Sequence, residues 1–356
     1  MRASVFIGAT TLEPGNGGIG RVARMSARAL IEAGYAVDMA ALLDTEVSTI
    51  AGRVGAAVHG RKIEFAARCH AAALRHDWFL YDSAGPARAH PRLPGLRRPY
   101  AVWIHGAEVW GIPQLRPDYV AAVRRADLVL VNSHYTLARA ERTIGPLPQA
   151  RVCWLATEED DEAAPPSVVP RHPPTVLILG RIDADENYKG HAELVDAWPR
   201  VVAAVPEARL LIAGGGSGLA ALRARVAASP SAQSIECLGF VAEAAIASLW
   251  RRASIFAMPS RGEGFGLVYI EAMRHAVPVI ASVHDAGAEV NITGVTGFNV
   301  SLDSSDDLAV RLIELLKDRH LCGRMGGAGQ QRWREHFQYA AFSRRLSALI
   351  ETALSQ

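Results

Sequence analysis

Short apolar runs recur along this chain, each followed by a longer stretch with helical spacing, and that alternation restricts its fold more than any other feature. Ser4–Ala9, then Arg21–Ala33, then Tyr35–Leu43 set the pattern. Trp78–Tyr81, Tyr100–His105, Leu128–Asn132 and Ala150–Leu155 continue it. Runs that are apolar throughout suit strands covered on both faces by crossover helices, so the reading is α/β with parallel sheets. The alternation breaks at Glu158-Glu159-Asp160-Asp161-Glu162, with Pro165, Pro166, Pro170, Pro173 and Pro174 just beyond, a charged and proline-rich stretch read as a linker. A second series follows: Thr175–Gly180, Ala208–Gly214, Ile235–Gly239, Ile255–Met258, Pro278–Ala281 and Gly297–Val300. Two α/β domains are therefore expected, 1–168 and 169–330. A segment 331–356 follows, with helical spacing at Trp333, Phe337, Phe342, Leu346, Leu349 and Ile350. Ligands of such sheets bind beyond the carboxyl ends of the strands, so two sheets facing each other would form a cleft.

Composition narrows the function. With 356 residues, 50% hydrophobic and 21% charged, the chain is no disordered protein, and a net charge of +2 gives no reason to expect nucleic acid as partner. The charge is uneven, because residues 1–157 carry 19 Lys and Arg against 12 Asp and Glu, and the remainder 19 against 24. Arg61-Lys62, Arg68, Arg97-Arg98 and Arg124-Arg125 are read either as a solvated face or as a peripheral contact with an anionic membrane. Cys69, Cys153, Cys237 and Cys322 form no CxxC pair, which argues against a disulfide framework or zinc site and for a reducing, cytoplasmic setting. No apolar run approaches the ~18–20 residues of a membrane span, and no export signal is read at Met1-Arg2.

The sharpest motif is Pro259-Ser260-Arg261-Gly262-Glu263-Gly264-Phe265-Gly266-Leu267-Val268-Tyr269-Ile270-Glu271, directly after an apolar run. The glycines suit a tight turn, and a helix starting near Leu267 would direct free N–H groups and a positive dipole end at the loop, where a diphosphate could sit. Glu263 on the loop and Glu271 inside the helix would flank that anion and grip hydroxyls on either side. The spaced glutamate pair in this setting resembles the retaining glycosyltransferases of the GT-B class, family 4, strongly from about Val176 to Val300 and more loosely before it. The resemblance implies two Rossmann-like domains facing across a cleft, with the C-terminal helix crossing back onto the N-terminal, acceptor-side domain. By the same resemblance, Glu271 binds the donor ribose, and Glu263 with the Gly264-Phe265-Gly266 backbone and Leu267 holds the donor sugar. Arg181 and Lys189 match the family's phosphate-binding pair, Gly17 and Gly18 its front glycine loop, Gly214 its second glycine turn, Phe240 and Val241 the surroundings of the base, and His105 a histidine near the donor sugar.

Each has a plainer reading. The glutamates could cap a surface helix, Arg181 and Lys189 could line a solvated turn, and His105 could be a satisfied core residue. Asn132-Ser133 reads as a helix N-cap. Gly15-Asn16-Gly17-Gly18-Ile19-Gly20 is a literal G-x-G-x-x-G, and Asp44 could imitate the acidic ribose ligand of a nicotinamide enzyme. Asp285-Ala286-Gly287-Ala288-Glu289 departs from the family's Gly-Gly-x-Pro-Glu, so only Glu289 carries over. Asp183-Ala184-Asp185 is a literal D-x-D, yet it lies between two fixed cations, so no metal or other cofactor is expected. The expected activity is transfer of a hexose from a UDP- or GDP-linked sugar to a hydroxyl of a glycan, glycolipid or small molecule. The alternatives are an NAD-dependent oxidoreductase, a non-catalytic sugar-nucleotide-binding protein, and a hydrolysing epimerase of the same fold.

Overall fold

The computed structural model describes residues 3–15, 17–111, 114–158, 173–186, 188–304 and 306–355. Asn16, Asn187, most of the linker and the expected 168/169 boundary lie outside them. The chain divides into two compact units, Met1–Glu159 with Gln338–Gln356, and Asp160–Phe337. The segment 331–356 is therefore divided: Trp333 and Phe337 are fully buried in the second unit, whereas the helix Tyr339–Leu354 belongs to the first.

The first unit's sheet contains β1 (Ser4–Ala9), β2 (Ala36–Ala41), β3 (Ser48–Ile50), β4 (Arg53–Ala57), β5 (Trp78–Tyr81), β6 (Tyr100–Ile104), β7 (Leu128–Val131) and β8 (Ala150–Val152). Their order is β3-β4-β2-β1-β5-β6-β7-β8, parallel except for the pair β3 and β4. That short hairpin was absent from the sequence reading because Gly55-Ala56-Ala57 has the composition of a helix or loop rather than of a β-branched strand. The central strands are buried throughout, as expected for a sheet with helices on both faces. The helix Tyr339–Leu354 packs on Gly17–Glu32: Tyr339 donates to Glu32 (2.7 Å), and the Arg28 guanidinium lies 4.0 Å from the centre of the Tyr339 ring. Glu158, read as the start of the linker, is instead held by a two-pronged contact with Arg24 (2.6 and 2.7 Å).

In the second unit, β9 (Thr175–Leu179), β10 (Arg209–Ala213), β11 (Ile235–Gly239), β12 (Ile255–Ala257), β13 (Val279–Ser282) and β14 (Gly297–Val300) run parallel in the order β11-β10-β9-β12-β13-β14. The chain winds outward from β9 to β11 and then starts again on the other side at β12, so the order reverses between β9 and β12. The first sheet reverses in the same way between β1 and β5. Reversal points of this kind leave a crevice beyond the carboxyl ends of the strands. Among the described residues no helix is long and apolar enough to cross a membrane.

Candidate functional site

The loops after β9 and β12 meet at the second sheet's reversal point. The Arg261 N–H donates to the Tyr188 carbonyl (2.8 Å), and Gly262 lies so close to the Tyr188 ring that a Cβ there would fall 2.9 Å from it. Gly190 adopts φ +89° before the helix His191–Ala204, and an added Cβ would meet the Pro259 carbonyl at 2.4 Å. These contacts bring Lys189 against Glu263, and the two form an ion pair with only 14% and 15% of their side chains exposed. The sequence reading assigned them separate ligand groups and did not anticipate the pair. Lys189 also lies 5.0 Å from the centre of the Tyr188 ring.

Gly266, at φ +84°, precedes the helix Leu267–Arg274, whose first turn presents N–H groups and the positive end of its dipole beside Glu263. A left-handed residue is needed here, and the Tyr269 ring would lie 2.3 Å from any Cβ. Tyr269 is fully buried and donates to the Met258 carbonyl (2.8 Å), which fixes the helix start against the end of β12. The Phe265 side chain turns into the core against Phe337 (ring centres 5.9 Å), leaving the backbone of Gly264-Phe265-Gly266 at the loop. Glu271 lies in the helix's second turn, half-buried.

Arg181 follows β9 with its side chain 62% exposed and pairs with Asp183 (3.0 Å). Asp183 also accepts from the Ser217 N–H (3.1 Å), so this half of the D-x-D triplet joins two loops. Gly214 is a close-approach position, since a Cβ at its φ of +150° would be 1.8 Å from the Gly180 carbonyl oxygen. The Ile182 N–H donates to Gly215 (2.9 Å) and the Gly214 N–H to Gly239 (2.8 Å), which joins the loops after β9, β10 and β11. Phe240 is 84% exposed over Gly215, with Val241 half-buried beside it. A solvent-facing ring is suited to stacking on a planar base. A hollow of about 600 Å³ lined by Arg209, Gln233, Glu236 and Arg252 lies at the opposite, amino ends of β9 to β11, away from these groups.

In the first unit, Gly17 and Gly18 open the first helix, exposed, with Gly17 at φ +83°. His105, just past β6, bonds through Nε2 to the Asp82 carbonyl (2.8 Å), and its N–H donates to Glu108 (2.5 Å). The Asn132 side chain donates to the His105 carbonyl (3.1 Å), and Ser133 caps the helix His134–Ile144 by accepting from Thr136 (2.9 Å). Asp82 is 1% exposed and accepts from the Thr10 N–H (2.6 Å) and hydroxyl (3.1 Å) across the gap between β5 and β1. Burial pushes its carboxyl up to about 7. Asp44 is engaged with Thr11 (2.5 Å) and the Leu12 N–H (2.9 Å), so the acidic group that would have served a nicotinamide ribose is bound to the loop after β1.

The sequence profile of a family described as Glycosyl transferases group 1 matches residues 173–318. A GDP-mannose-dependent monoacylated alpha-(1-6)-phosphatidylinositol monomannoside mannosyltransferase of Corynebacterium glutamicum is 32% identical over 267 residues, which are 70% of this chain and 68% of that protein. The chain belongs to the group 1 glycosyltransferases.

This glycosyltransferase is also 36% identical over 185 residues to the phosphatidyl-myo-inositol mannosyltransferase of Mycolicibacterium smegmatis, covering 51% of the chain and 46% of that protein. Among solved structures it resembles sucrose-phosphate synthase from Thermosynechococcus elongatus, with TM-score 0.82 at 21% identity over 99% of this chain and all of that one. It also resembles HepE of Anabaena in complex with UDP and glucose, with TM-score 0.77 at 16% identity over 98% of this chain and all of that one. The fold is GT-B, α/β with parallel sheets. Sequence reasoning missed Tyr188, Pro259, Tyr269 and Asp285, which shape this glycosyltransferase's loops. The signal available for Asp285 was the acid standing where the family's Gly-Gly-x-Pro-Glu has glycine.

Proposed function

We propose that this glycosyltransferase moves mannose from GDP-mannose to a hydroxyl of an inositol-bearing phospholipid, with retention at the anomeric carbon and without a metal ion. The donor and acceptor follow the two mannosyltransferase relatives. The observation that carries the reading is the Lys189–Glu263 pair beside the start of the helix Leu267–Arg274. It puts a fixed cation, a positive helix end and a carboxylate at one reversal point. Lys189, Arg181 and the helix N–H groups would stabilise the departing diphosphate, the largest electrostatic contribution to such a transfer. Glu263 would hold the sugar hydroxyls, Glu271 the ribose, and Phe240 with Val241 the base. Acceptor attack on the face from which the diphosphate leaves would give retention, with the departing phosphate taking the acceptor's proton.

A lipid acceptor requires access to a membrane surface. Ile63 and Leu74 are 88% and 72% exposed near Arg61, Lys62 and Arg68, which supports peripheral contact of the first unit with anionic lipid. Sedimentation with vesicles at low salt tests this, and equal binding to neutral and anionic lipid would refute it.

The central test is transfer of labelled mannose from GDP-mannose to phosphatidylinositol vesicles, with the anomer of the product read by NMR. It is accompanied by thermal shifts with GDP, UDP and NADH, since a ligand at 100 times its Kd adds about 2.7 kcal/mol of stability. GDP should stabilise and an α-linked product should form. Stabilisation by NADH alone, binding without turnover, or release of free mannose only would each replace the reading with one of the alternatives above.

A further inference from the structure

The loop after β13 carries an acid where the glycosyltransferases that this sequence resembles have glycine, and the structure gives that acid specific partners. Asp285 is 3% exposed. Its Oδ2 accepts from the Glu263 N–H (2.9 Å) and its Oδ1 from the Gly287 N–H (2.9 Å), while the Ala286 N–H donates back to the Glu263 carbonyl (3.2 Å). Both N–H groups of Glu263 and Gly287 are thus fixed by one carboxylate, which also draws a side-chain hydrogen bond from Ser260. Ser282, at the end of β13, donates to the Ser260 carbonyl and joins the same two loops a second time. The Glu263 side chain in turn forms the ion pair with Lys189. Three loops are therefore connected in series, from β13 through β12 to β9, and Asp285 sits at the root.

From this arrangement we propose that Asp285 is a positioning residue whose ionised carboxylate sets the backbone of Glu263, and through it the Lys189–Glu263 pair, for productive binding of the donor sugar. The proposal rests on the reading that these loops hold a nucleotide-sugar. The ionised form accepts from both N–H groups most strongly, because protonation turns one oxygen into a hydroxyl, a poorer acceptor. An amide is worse placed, since its NH₂ cannot accept and would face an N–H donor. Burial, with a smaller contribution from the neighbouring Glu263 charge, raises the Asp285 carboxyl to about 6, against the N–H donors and Ser260 that lower it. Among the described residues, Tyr269, on the helix beneath, also feels the Asp285 charge, its hydroxyl raised well above its ordinary value first by its own burial, while Lys189 faces Glu263. On its own loop, His284 is bonded to the Leu302 N–H (3.0 Å) and lies 3.8 Å from Asp303.

The test is the pH profile of mannose transfer for wild type and Asp285→Asn, with GDP binding and amide exchange measured alongside. For wild type, kcat at saturating donor should fall below pH of about 6, approaching tenfold per pH unit. Asp285→Asn should lose about tenfold or more in kcat at pH 7.5 and lack that acid limb. It should still bind free GDP within about threefold and melt no lower than wild type. Glu263 amide exchange should speed up in Asp285→Asn while β9 amides stay protected. If Asp285→Asn does not fold, wild type supplies the second measurement: Glu263 exchange, corrected for intrinsic rate, should be faster at pH 5 than at 7.5 with β9 unchanged. Wild-type kcat and an intact acid limb in Asp285→Asn would overturn the assignment, as would parallel loss of GDP binding and melting temperature. A wild type that transfers no sugar from any donor would overturn the reading of the site itself.

Discussion

The two sheets reverse their strand order in the same way, yet the chemistry at the two reversal points differs. Between β1 and β5 the loops are held by a lone buried carboxylate, Asp82, taking hydrogen bonds from Thr10 and Ser83, and Asp44 does the same for Thr11 and Leu12. Between β9 and β12 the loops meet through glycines pressed against neighbouring backbone, and the crevice carries a cation paired with a carboxylate. The first end has a glycine-opened helix start too, at Gly17 and Gly18, but its acids are taken up by hydroxyls and N–H groups of their own loops, which suits polar, uncharged groups. A glycine-lined end with a helix start and a lysine suits a multiply charged phosphate that must approach the backbone closely. One topology thus supports two recognition chemistries, and the side chains at the strand ends decide which.

The largest expected effect separates the two glycine loops. Gly214→Ala would drive a Cβ into the Gly180 carbonyl, and should cost roughly 3 kcal/mol or more and unfold much of the second unit in urea. Gly15→Ala, at φ +82° with nothing within 4 Å, should cost only about 1 kcal/mol. Equal costs would erase the contrast between a close-packed and an open loop.

Next comes the charge at the second crevice. Lys189→Ala removes the cation and leaves Glu263 without it, and should lower kcat/KM by on the order of 10²–10³. Sharpening this, Glu271→Ala should weaken GDP binding by roughly tenfold or more, whereas Glu263→Ala should chiefly lower kcat. Isothermal titration with GDP reads the first and steady-state kinetics the second, and equal loss of GDP affinity in both would remove the division of roles.

Asp82 tests the first crevice through pH. Its carboxyl is raised from 3.8 to about 7 by burial, so the stability this group contributes is fully present below its unfolded value and is lost as pH rises through about 7. Asp82→Asn should therefore gain on wild type by on the order of 4 kcal/mol between pH 4 and 8, read from urea unfolding at a series of pH values. A pH-independent difference would mean that Asp82 is not held in this way. The smallest effect is expected at the D-x-D triplet: the double change Asp183→Asn, Asp185→Asn, and excess EDTA, should each leave turnover within about twofold. Loss on chelation with recovery on adding Mg²⁺ would give the second crevice a metal and withdraw the role assigned to Arg181 and Lys189.

Much of this was legible from the chain. The strands of both units, the glycine loops, the helix at Leu267 and the Glu263–Glu271 spacing all rest on local pattern, because buried parallel strands and helix starts have signatures a few residues long. The hairpin of β3 and β4 escaped because β3 is only three residues long and β4 carries Gly55-Ala56-Ala57, which has little strand character. The division of the terminal segment escaped for a related reason. Trp333 and Phe342 share one helical period, yet the first is buried in the second unit and the second lies beside Trp103 in the first.

What the sequence determined by itself is the kind of molecule: two parallel α/β sheets, and a second half able to hold a diphosphate at a glycine loop. What only the tertiary structure decided is which groups share a proton, a charge or a backbone amide. Lys189 and Glu263 are 74 residues apart, Glu263 and Asp285 22, and Thr10 and Asp82 72. Such pairs have no periodicity to announce them. They form because crossover connections return separate strand ends to one edge of a sheet, where burial then sets how strongly each charge is felt.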